Sequence, residues 1–515
     1  MPTATRSAAG SQAPAPRPRV GTKTMKSPRL LAGVLLTLLV AMLAPSAASA
    51  STSQLSLIQD DAEFLGNRGE NLDSAAGELR NLGVDILRTN VNYNKIYRTP
   101  EDRKKPAGFV TSDPNSSHYD WSATDRLVAL ARANGVRLLL TVTGPGPFFS
   151  SENPRKCKRL PCTYKPRTKE FEGFAAAVAK RYRGKADYYS IWNEPNIGKT
   201  WLTPRFEKRR RVGTIDYAAA KYRQLYLAGY KSIAKYDPAR KGRVLFGEVA
   251  AISQPLPFLR AALCLDSNNR PFRGSRAKAT GCSGRVKRIS TLGFAVHPYN
   301  QGGNGTPRSR TKTKTSLSIA YMPRLHRLMD SAARRGRIAG RRGIYVTEFG
   351  FQSKPPDSVS NVSPAEQAQY INESDRLFFG DSRVKWVGQY ELTDVPQRDQ
   401  FNSGLRFVGG ERKPAYAAYR MPIVVTRRSA NSVEVYGQSR PGGASTVAIQ
   451  AQQSGKPFTT VRSVRANSRG VFRVVVKLNG AFKTKWRLSG LSGATGEAIT
   501  SREAKVGRKL VFYKN

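Results

Sequence analysis

Short apolar runs alternate with amphipathic stretches along most of this chain of 515 residues. Between the runs, apolar side chains recur at helical spacing, for example over Tyr217–Tyr236 and Pro364–Phe379. Strands that alternate with helices pair in parallel through right-handed crossovers. The eight runs expected to form buried strands are Gln54–Gln59, Val84–Val91, Val136–Thr143, Ala186–Trp192, Arg243–Val249, Thr291–Pro298, Gly343–Thr347 and Val384–Leu392.

Eight such units favour an α/β fold, a closed (β/α)8 TIM barrel, over residues 51–420. The alternative is a doubly wound open sheet, which would call for a glycine-rich phosphate loop after the first strand. The segment Asp60–Phe64 that follows this strand contains no glycine. In a TIM barrel, residues at the C-terminal ends of the strands converge on one site.

The pattern changes after Pro422, where helical periodicity stops and short β-rich runs follow between Gly, Ser and Asn turns. Residues 421–515 are therefore predicted to form a small all-β sandwich domain, either immunoglobulin-like or carbohydrate-binding-like. Its aromatic residues mostly fall within strands, which favours structural support over glycan binding. The runs are Ile423–Arg427, Ser432–Tyr436, Thr446–Gln450, Phe458–Val464, Val471–Lys477 and Lys485–Leu488.

The first 50 residues have the features of a secretory signal peptide. They contain six basic residues and no acidic one, an apolar run over residues 30–43 and the small residues Ala48–Ala50 as a cleavage site. The alternative is a membrane anchor, but a spanning helix needs about 20 apolar residues. We therefore expect a secreted, extracellular protein without a stable transmembrane anchor, and association with the cell surface stays open.

The chain is strongly basic, with a formal net charge of +50 that falls to +44 without the six basic residues of the first 50. Such a surface attracts polyanions, and for an exported protein the expected partner is an anionic cell-envelope polymer. The alternative is a basic surface with no function of its own. The basic residues are dispersed rather than gathered into a stripe with aromatic residues, so no specific nucleic-acid partner is expected.

Four cysteines in an exported protein suggest two disulfides, for which three connectivities exist. Local pairing is the simplest of them, Cys157 with Cys162 and Cys264 with Cys282. Each disulfide is expected to brace a long loop near the mouth of the barrel. No metal site is expected at these cysteines, because none of the three histidines of the chain lies near a cysteine pair.

Two glutamates each follow a predicted strand. Glu194 lies in WNEP, at the end of the fourth strand, and Glu348 lies in TEFG, at the end of the seventh. Two carboxyls that meet over a sugar ring can break a glycosidic bond, one as an ionised nucleophile and the other as a proton donor whose pKa is raised by burial. Either glutamate alone could equally satisfy backbone groups, so their joint placement suggests the chemistry.

The two motifs resemble the signature of clan A glycoside hydrolases, which include the cellulase-type family 5 and the xylosidase-type family 39. The resemblance spans roughly residues 53–420. It implies a retaining hydrolase that cleaves O-glycosidic bonds of a β-linked poly- or oligosaccharide by double displacement. By this resemblance Glu194 is the acid/base, Glu348 is the nucleophile and Asn193 holds the 2-hydroxyl of the sugar. No cofactor and no metal are expected.

Three more residues fit the resemblance. Arg88, at the end of the second strand, is expected to keep the nucleophile ionised, and His297 and Tyr299 match a His-x-Tyr pair on the sixth strand. The structural alternatives are an ion pair, a satisfied core histidine and loop packing. Trp201, in the loop after the fourth strand, either stacks on sugar or anchors that loop. Glu248, which ends the fifth strand, reaches either the pocket or a backbone amide and is left out of the catalytic set.

One position departs from the clan pattern. The eighth strand of the clan usually ends with a tryptophan that floors the sugar subsite, whereas here Gln389 or Tyr390 stands there and Trp386 falls early. The identity of the sugar is therefore left open. The alternative function is a catalytically silent barrel that binds a cell-envelope polysaccharide, although a pure binder gains nothing from burying two carboxylates that repel each other.

Overall fold

Eight parallel strands close into a barrel in the computed structural model of the protein, which describes residues 53–66, 72–300, 305–340, 342–360, 362–397 and 401–513. The strands are β1 (Leu55–Gln59), β2 (Ile86–Asn92), β3 (Arg137–Thr143), β4 (Tyr188–Ile191), β5 (Val244–Ala250), β6 (Gly293–His297), β7 (Gly343–Val346) and β8 (Val384–Tyr390). Consecutive strands pair with each other, and β8 pairs back onto β1. The predicted TIM barrel is confirmed, and the open sheet is excluded because the sheet closes on itself.

Helices cover the outside of the barrel between the strands. The last long one, Pro364–Phe379, begins at a capping box in which Ser363 and Glu366 satisfy each other's backbone N–H groups. The α-helices of the described residues are Asp61–Phe64, Leu72–Asn81, Tyr93–Ile96, Ser122–Ala133, Thr168–Arg181, Tyr217–Tyr236, Pro255–Ala262, Gly274–Ala279, Met322–Arg334, Pro364–Phe379 and Pro414–Arg420.

Apolar side chains pack on both faces of the barrel sheet. The larger cluster lies between the strands and the helices. Inside the barrel, a smaller cluster fills the end where the strands begin, and it consists of Leu57, Ile86, Leu139, Leu245, Ala295, Tyr345 and Trp386. The Trp386 ring packs edge-on against Tyr188 and Tyr345, with ring centroids 4.6 and 4.5 Å apart. Because this apolar cluster fills the N-terminal end of the barrel, polar side chains gather at the C-terminal end.

Two antiparallel sheets follow the barrel and form the predicted all-β sandwich. Their strands are β9 (Ile423–Ser429), β10 (Ser432–Gln438), β11 (Thr446–Gln452), β12 (Thr459–Arg465), β13 (Val471–Lys477), β14 (Lys485–Leu491) and β15 (Ala498–Thr500). One sheet has the order β9-β10-β13 and the other β12-β11-β14-β15. Phe472 and Trp486 lie in the apolar core of the sandwich. The domain boundary at residue 421 stays a prediction.

The sandwich packs against the side of the barrel where the strands begin. Arg440 and Asp375 form a buried ion pair at 3.1 Å across this contact. Arg469 of the sandwich pairs at 2.9 Å with Asp85, the residue directly before β2. This placement lies away from the C-terminal ends of the barrel strands and favours the supporting role over delivery of glycan to a site there.

Several elements have no counterpart in the predicted set, among them the short helices Asp61–Phe64, Tyr93–Ile96 and Pro414–Arg420. The hairpin of Phe206–Arg209 and Gly213–Asp216 is largely exposed and rich in charge, so it lacks an apolar pattern. The helix Gly274–Ala279 and strand β15 are too short to show a period. Local periodicity identifies elements that bury one face over several residues, and these short or exposed elements do not.

Both expected disulfides form, Cys157–Cys162 and Cys264–Cys282. The first lies in the long connection after β3, on the side of the barrel mouth as expected. The second lies in the long connection between helix Pro255–Ala262 and β6. Its expected position near the mouth of the barrel stays a prediction.

The predicted signal peptide and the membrane-anchor alternative concern residues 1–50, which lie outside the described residues. Within the part of the chain that the structure describes, no helix is long and apolar enough to cross a membrane.

Candidate active site

Glu194 and Glu348 meet at the C-terminal end of the barrel. One carboxylate oxygen of each and Nδ1 of His297 all lie within 4.8 Å of one another. Glu194 follows β4 by three residues and Glu348 follows β7 by two. The turn after β4 is strained, because Trp192 and Glu194 both have positive φ, at 65° and 40°. The barrel thus brings together two carboxyls that are far apart in sequence.

The ring of Trp192 fills space that only a glycine leaves free. A Cβ built on Gly144, directly after β3, would lie 2.3 Å from Cη2 of Trp192. The indole packs on the ring of Phe171 at a centroid distance of 5.3 Å. This packing fixes the turn that carries Glu194.

Arg88 is fully buried, and its guanidinium contacts residues in or directly after four other strands. Its Nη1 donates to Oε1 of Glu348 at 2.5 Å, and its Nη2 donates to Oδ1 of Asn193 at 2.8 Å. The same Nη2 donates to Oε2 of Glu248 at 2.9 Å, and Nε donates to Oγ1 of Thr141 at 3.1 Å. Burial by itself lowers the pKa of Arg88, but the charges of Glu248 and Glu348 outweigh it and raise the pKa above its ordinary value. Arg88 is therefore a charged anchor beneath the pair.

Glu248 is the residue of this site that sequence reasoning left out. Its side chain is fully buried, and its Oε2 accepts from Arg88, from Nε2 of His297 at 2.7 Å and from Oγ1 of Thr347 at 2.9 Å. Burial raises the pKa of its carboxyl, but Arg88 and His297 outweigh this and lower it to about 2. A charged side chain within the apolar run 244–250, in a chain with few acidic residues, was the available signal.

A β-bulge places Glu248 in the cluster. The pairing of β5 with β6 shifts between Gly247 and Val249, so Glu248 is an extra residue in the ladder and has a positive φ of 48°. A Cβ on Gly247 would lie 2.6 Å from the carbonyl oxygen of Ala295, which is why glycine stands there. The alternation of a regular strand gives no hint of this bulge.

His297, at the end of β6, connects Glu248 with the catalytic candidates. Its Nδ1 lies 3.0 Å from Oε1 of Glu194 and 3.5 Å from Oε2 of Glu348. Burial lowers the pKa of the imidazole, but the charge of Glu348 and the hydrogen bonds to Glu194 and Glu248 raise it to about 9. At neutral pH the ring therefore carries two protons, with the carboxyl group of a glutamate beside each nitrogen.

The two candidate carboxyls have different surroundings. Burial raises the pKa of the Glu348 carboxyl, and the charge of Glu194 adds to this against the opposing effect of His297 and Arg88. The raised pKa thus falls on the carboxyl that is expected to be the ionised one. The side chain of Glu194 is 16% exposed, that of Glu348 is 9% exposed and that of Glu248 is sealed. A ligand in the barrel mouth can reach the first two but not Glu248.

Three aromatic rings form a wall beside Glu348. Tyr299 donates from its hydroxyl to Oε2 of Glu348 at 3.2 Å. Its ring centroid lies 6.5 Å from that of Tyr390 and 5.5 Å from that of Phe401. Phe401 is 46% exposed. The amide of Gln389, by contrast, donates to backbone carbonyls and is buried, so Tyr390 is the end-of-strand residue that faces the site.

The remaining predicted site residues divide between the site and its support. Asn193 lies in the cluster, where Arg88 holds its oxygen and Thr143 accepts from its backbone N–H at 3.0 Å. Trp201 is half-buried and packs against the barrel core. None of the hydrogen bonds or ring contacts of the described residues connects Trp201 with the carboxylates, which favours the loop-anchoring alternative.

Glu194, His297 and Glu348 are the described residues that are close enough together to surround a metal ion. Their charge environment opposes this use. Nδ1 of His297 lies against Glu194 with a raised imidazole pKa, and the guanidinium of Arg88 occupies one oxygen of Glu348. Two cationic groups this close to the carboxyls oppose the binding of a divalent cation among them.

No protein-family profile and no curated protein matches this chain. Similar solved structures are those of glycoside hydrolases. A glucosidase from Croceicoccus marinus is 12% identical over 78% of this chain and 89% of its own, with a TM-score of 0.46. A GH10 endoxylanase from a sugarcane soil metagenome is 11% identical over 73% and 98%, with a TM-score of 0.41. A family 5 glycoside hydrolase from Bacteroides vulgatus is 10% identical over 83% and 90%, with a TM-score of 0.40.

Proposed function

We propose that this protein is a retaining glycoside hydrolase that cleaves O-glycosidic bonds of a β-linked poly- or oligosaccharide. The observation that carries the proposal is the pair of carboxyls, with oxygens of Glu194 and Glu348 within 4.8 Å of each other. Retaining enzymes hold their two carboxyls about 5–5.5 Å apart, whereas inverting enzymes leave about 6.5–9.5 Å for a water molecule. The separation here supports the retaining class.

The hydrogen-bond donors around each carboxyl support the division of roles. Glu348 accepts from Arg88 and from the hydroxyl of Tyr299, and His297 lies 3.5 Å away. Glu194 has only the His297 contact of these. Donors that face a carboxylate favour its ionised form. These contacts support Glu348 as the nucleophile, although burial raises its pKa, and leave the role of proton donor to Glu194.

In the first step a carboxylate oxygen of Glu348 bonds to the anomeric carbon. The bond from that carbon to the leaving oxygen breaks, and this oxygen takes the proton of Glu194. In the second step Glu194 takes a proton from water, the water oxygen bonds to the anomeric carbon, and Glu348 is released. The net reaction adds water to the glycosidic bond and retains the β configuration at the anomeric carbon.

His297 stabilises the charge that moves between the two carboxyls. When Glu194 gives up its proton, an anion forms 3.0 Å from the Nδ1–H of the imidazolium. Glu248 holds the opposite nitrogen of the ring and Thr347 holds Glu248. We assign Glu248 as a positioning residue, because its sealed carboxylate orients His297 and Arg88 without access to substrate.

Export of the protein, the domain boundary at residue 421 and the sugar contacts of Asn193 and Tyr299 belong to the same proposal, in which Trp201 anchors its loop. The disulfides Cys157–Cys162 and Cys264–Cys282 are compatible with an oxidising, extracellular setting.

The test is turnover of a panel of aryl β-glycosides by the wild type, Glu348→Gln and Glu194→Gln. Glu348→Gln should lose turnover altogether, because an amide cannot form the glycosyl ester. Glu194→Gln should lose about 10²–10⁴-fold, and least with a leaving group that needs no proton. Azide should rescue the Glu194 variant to a β-azide and the Glu348 variant to an α-azide. Glu172→Gln, in a surface pair with Lys231, is the matched control.

First-formed product of inverted configuration would refute the retaining assignment. If both active-site variants kept near-wild-type turnover, or if the wild type turned over no glycoside while it retained a cell-envelope polysaccharide, the silent binder would replace the hydrolase.

A further inference from the structure

A basic cleft lies at the end of the barrel opposite to the carboxylates. It has a volume of about 670 Å³ and is lined by Arg285, Val286, Lys287, Arg288, Ser290 and Gly336. Its two walls are the segments that lead into β6 and β7. The backbone N–H of Ile289 donates to the carbonyl of Arg337 at 2.9 Å, and Ile289 bridges to Ile338 in parallel. The cleft is therefore part of the folded barrel, at the N-terminal ends of its strands.

Positive charge stands on both walls of this cleft. Arg285, Lys287 and Arg288 are exposed on one wall, and Arg334 and Arg335 are exposed beside Gly336 of the other. Among the described residues, no carboxylate forms an ion pair with any of these five side chains, although many other basic residues of the chain, such as Arg383 and Arg376, are paired. The cleft thus concentrates cations that have no counter-charge within the described protein.

A buried arginine adds to this charge from beneath. The guanidinium of Arg223 donates through Nη2 to the carbonyl of Lys287 and through Nη1 to that of Ala262 at 3.3 Å. Burial lowers the pKa of Arg223 to about 10, and the charge of Arg337 acts in the same direction. Neither guanidinium forms an ion pair with a carboxylate of the described residues, and their charges repel each other, so an anion in the cleft would relieve a cost that the folded protein carries.

We propose that this cleft binds an anionic polysaccharide through the carboxylate or phosphate groups on its sugars. Arginine presents a planar fork of donors that matches both kinds of oxyanion, and four of the five exposed cations are arginines. The lining contains no aromatic side chain on which a base could stack, which disfavours single-stranded nucleic acid. Since the cleft is at the other end of the barrel from Glu194 and Glu348, a bound polymer would tether the protein and leave the mouth free.

The experiment measures binding of the full chain to polygalacturonate and to phosphorylated dextran over a series of salt concentrations. The cleft variant is Arg285→Gln, Lys287→Gln and Arg288→Gln together. The control variant, Arg465→Gln, Arg473→Gln and Lys477→Gln, removes the same charge from exposed positions on β12 and β13 that pair with no described carboxylate. Thermal unfolding and turnover of an aryl glycoside verify that each variant is folded.

We expect the cleft variant to lose about tenfold or more in affinity at low salt, with a salt dependence shallower by about two ions, while the control changes less than twofold. The polymer that shows this difference identifies carboxylate or phosphate as the recognised group. Arg288→Glu alone should reproduce the loss with a single exposed change. Equal losses in both triple variants, no loss in either, or cleft-dependent binding that is tighter for single-stranded DNA than for both polysaccharides would overturn the proposal.

Discussion

Glu248→Gln tests whether the sealed carboxylate organises the active site. In the wild type this side chain faces Arg88 at 2.9 Å and His297 at 2.7 Å with no exposed surface. The amide is nearly the same size and can still accept hydrogen bonds. The substitution therefore removes one negative charge from a cluster that holds a buried guanidinium and an imidazolium, and it changes little else.

The structure sets the expected magnitude. The folded-state pKa of Glu248 is lowered from 4.5 to about 2. A tenfold change in a proton-binding constant corresponds to about 1.4 kcal/mol, so the ionised carboxylate contributes about 3 kcal/mol to the free energy of unfolding. Removal of one partner from a buried ion pair costs a similar amount, about 3–5 kcal/mol. Part of the rise in the pKa of His297 comes from its contact with Glu248. The free energy of this contact is already included in the value for Glu248 and is not added a second time.

The assay is urea unfolding followed by tryptophan fluorescence over a pH series. Near neutral pH the variant should be less stable than the wild type by about 3 kcal/mol. A lowered folded pKa gives stability that is present above the unfolded pKa and is lost as pH falls through the folded one. The difference between the two proteins should therefore shrink as pH falls from about 4.5 towards 2. Loss of the charge also lowers the pKa of His297, which should move the alkaline limb of kcat/KM towards neutral pH.

The control is Glu172→Gln, which breaks an exposed pair with Lys231 and should cost about 1 kcal/mol or less. If Glu248→Gln cost no more than this control, or if the difference between wild type and variant did not depend on pH, Glu248 would not hold a charge of structural importance. If stability fell as expected but the alkaline limb stayed in place, Glu248 would support the fold without positioning His297.

Three further predictions follow from the site and from the domain contact. The acid limb of kcat/KM should lie above the ordinary pKa of glutamate, because burial raises the pKa of Glu348 and protonation of Glu348 removes the nucleophile. An acid limb at or below the ordinary pKa of glutamate would contradict this prediction. Phe401→Ala should lower kcat/KM about fivefold, because one aromatic contact is worth about 1 kcal/mol. Trp201→Ala should instead lower the unfolding temperature and leave KM unchanged. The reverse result would make Trp201 the residue that contacts the sugar and Phe401 the residue that anchors a loop. Arg440→Met leaves the buried Asp375 carboxylate without its partner and should lower the free energy of unfolding by about 3–5 kcal/mol. Thermal unfolding measures this loss, and turnover at 25 °C should be unchanged. A loss of stability below about 1 kcal/mol would mean that the sandwich does not depend on this pair.

The barrel could be predicted from the sequence because its signal is local and repeated. Each buried strand shows as an apolar run and each covering helix as a 3.6-residue period, so all eight strands are found within two residues of their observed bounds. The placement of Glu194 and Glu348 at one end follows from topology alone, since parallel strands all end on the same side. Asn193 and His297 lie at strand ends for the same reason. The expected position of Arg88 at the end of its strand is wrong, because Arg88 is the third of the seven residues of β2 and reaches the cluster with its long side chain.

Tertiary structure alone decided how these groups are held. The role of Glu248 depends on one extra residue in β5, and a bulge leaves no trace in the alternation of side chains. Phe401 reaches the aromatic wall from a connection whose path is set by packing. Periodicity records which face of an element is buried over several residues. Distances between side chains from different strands depend instead on closure of the barrel, which no local pattern contains.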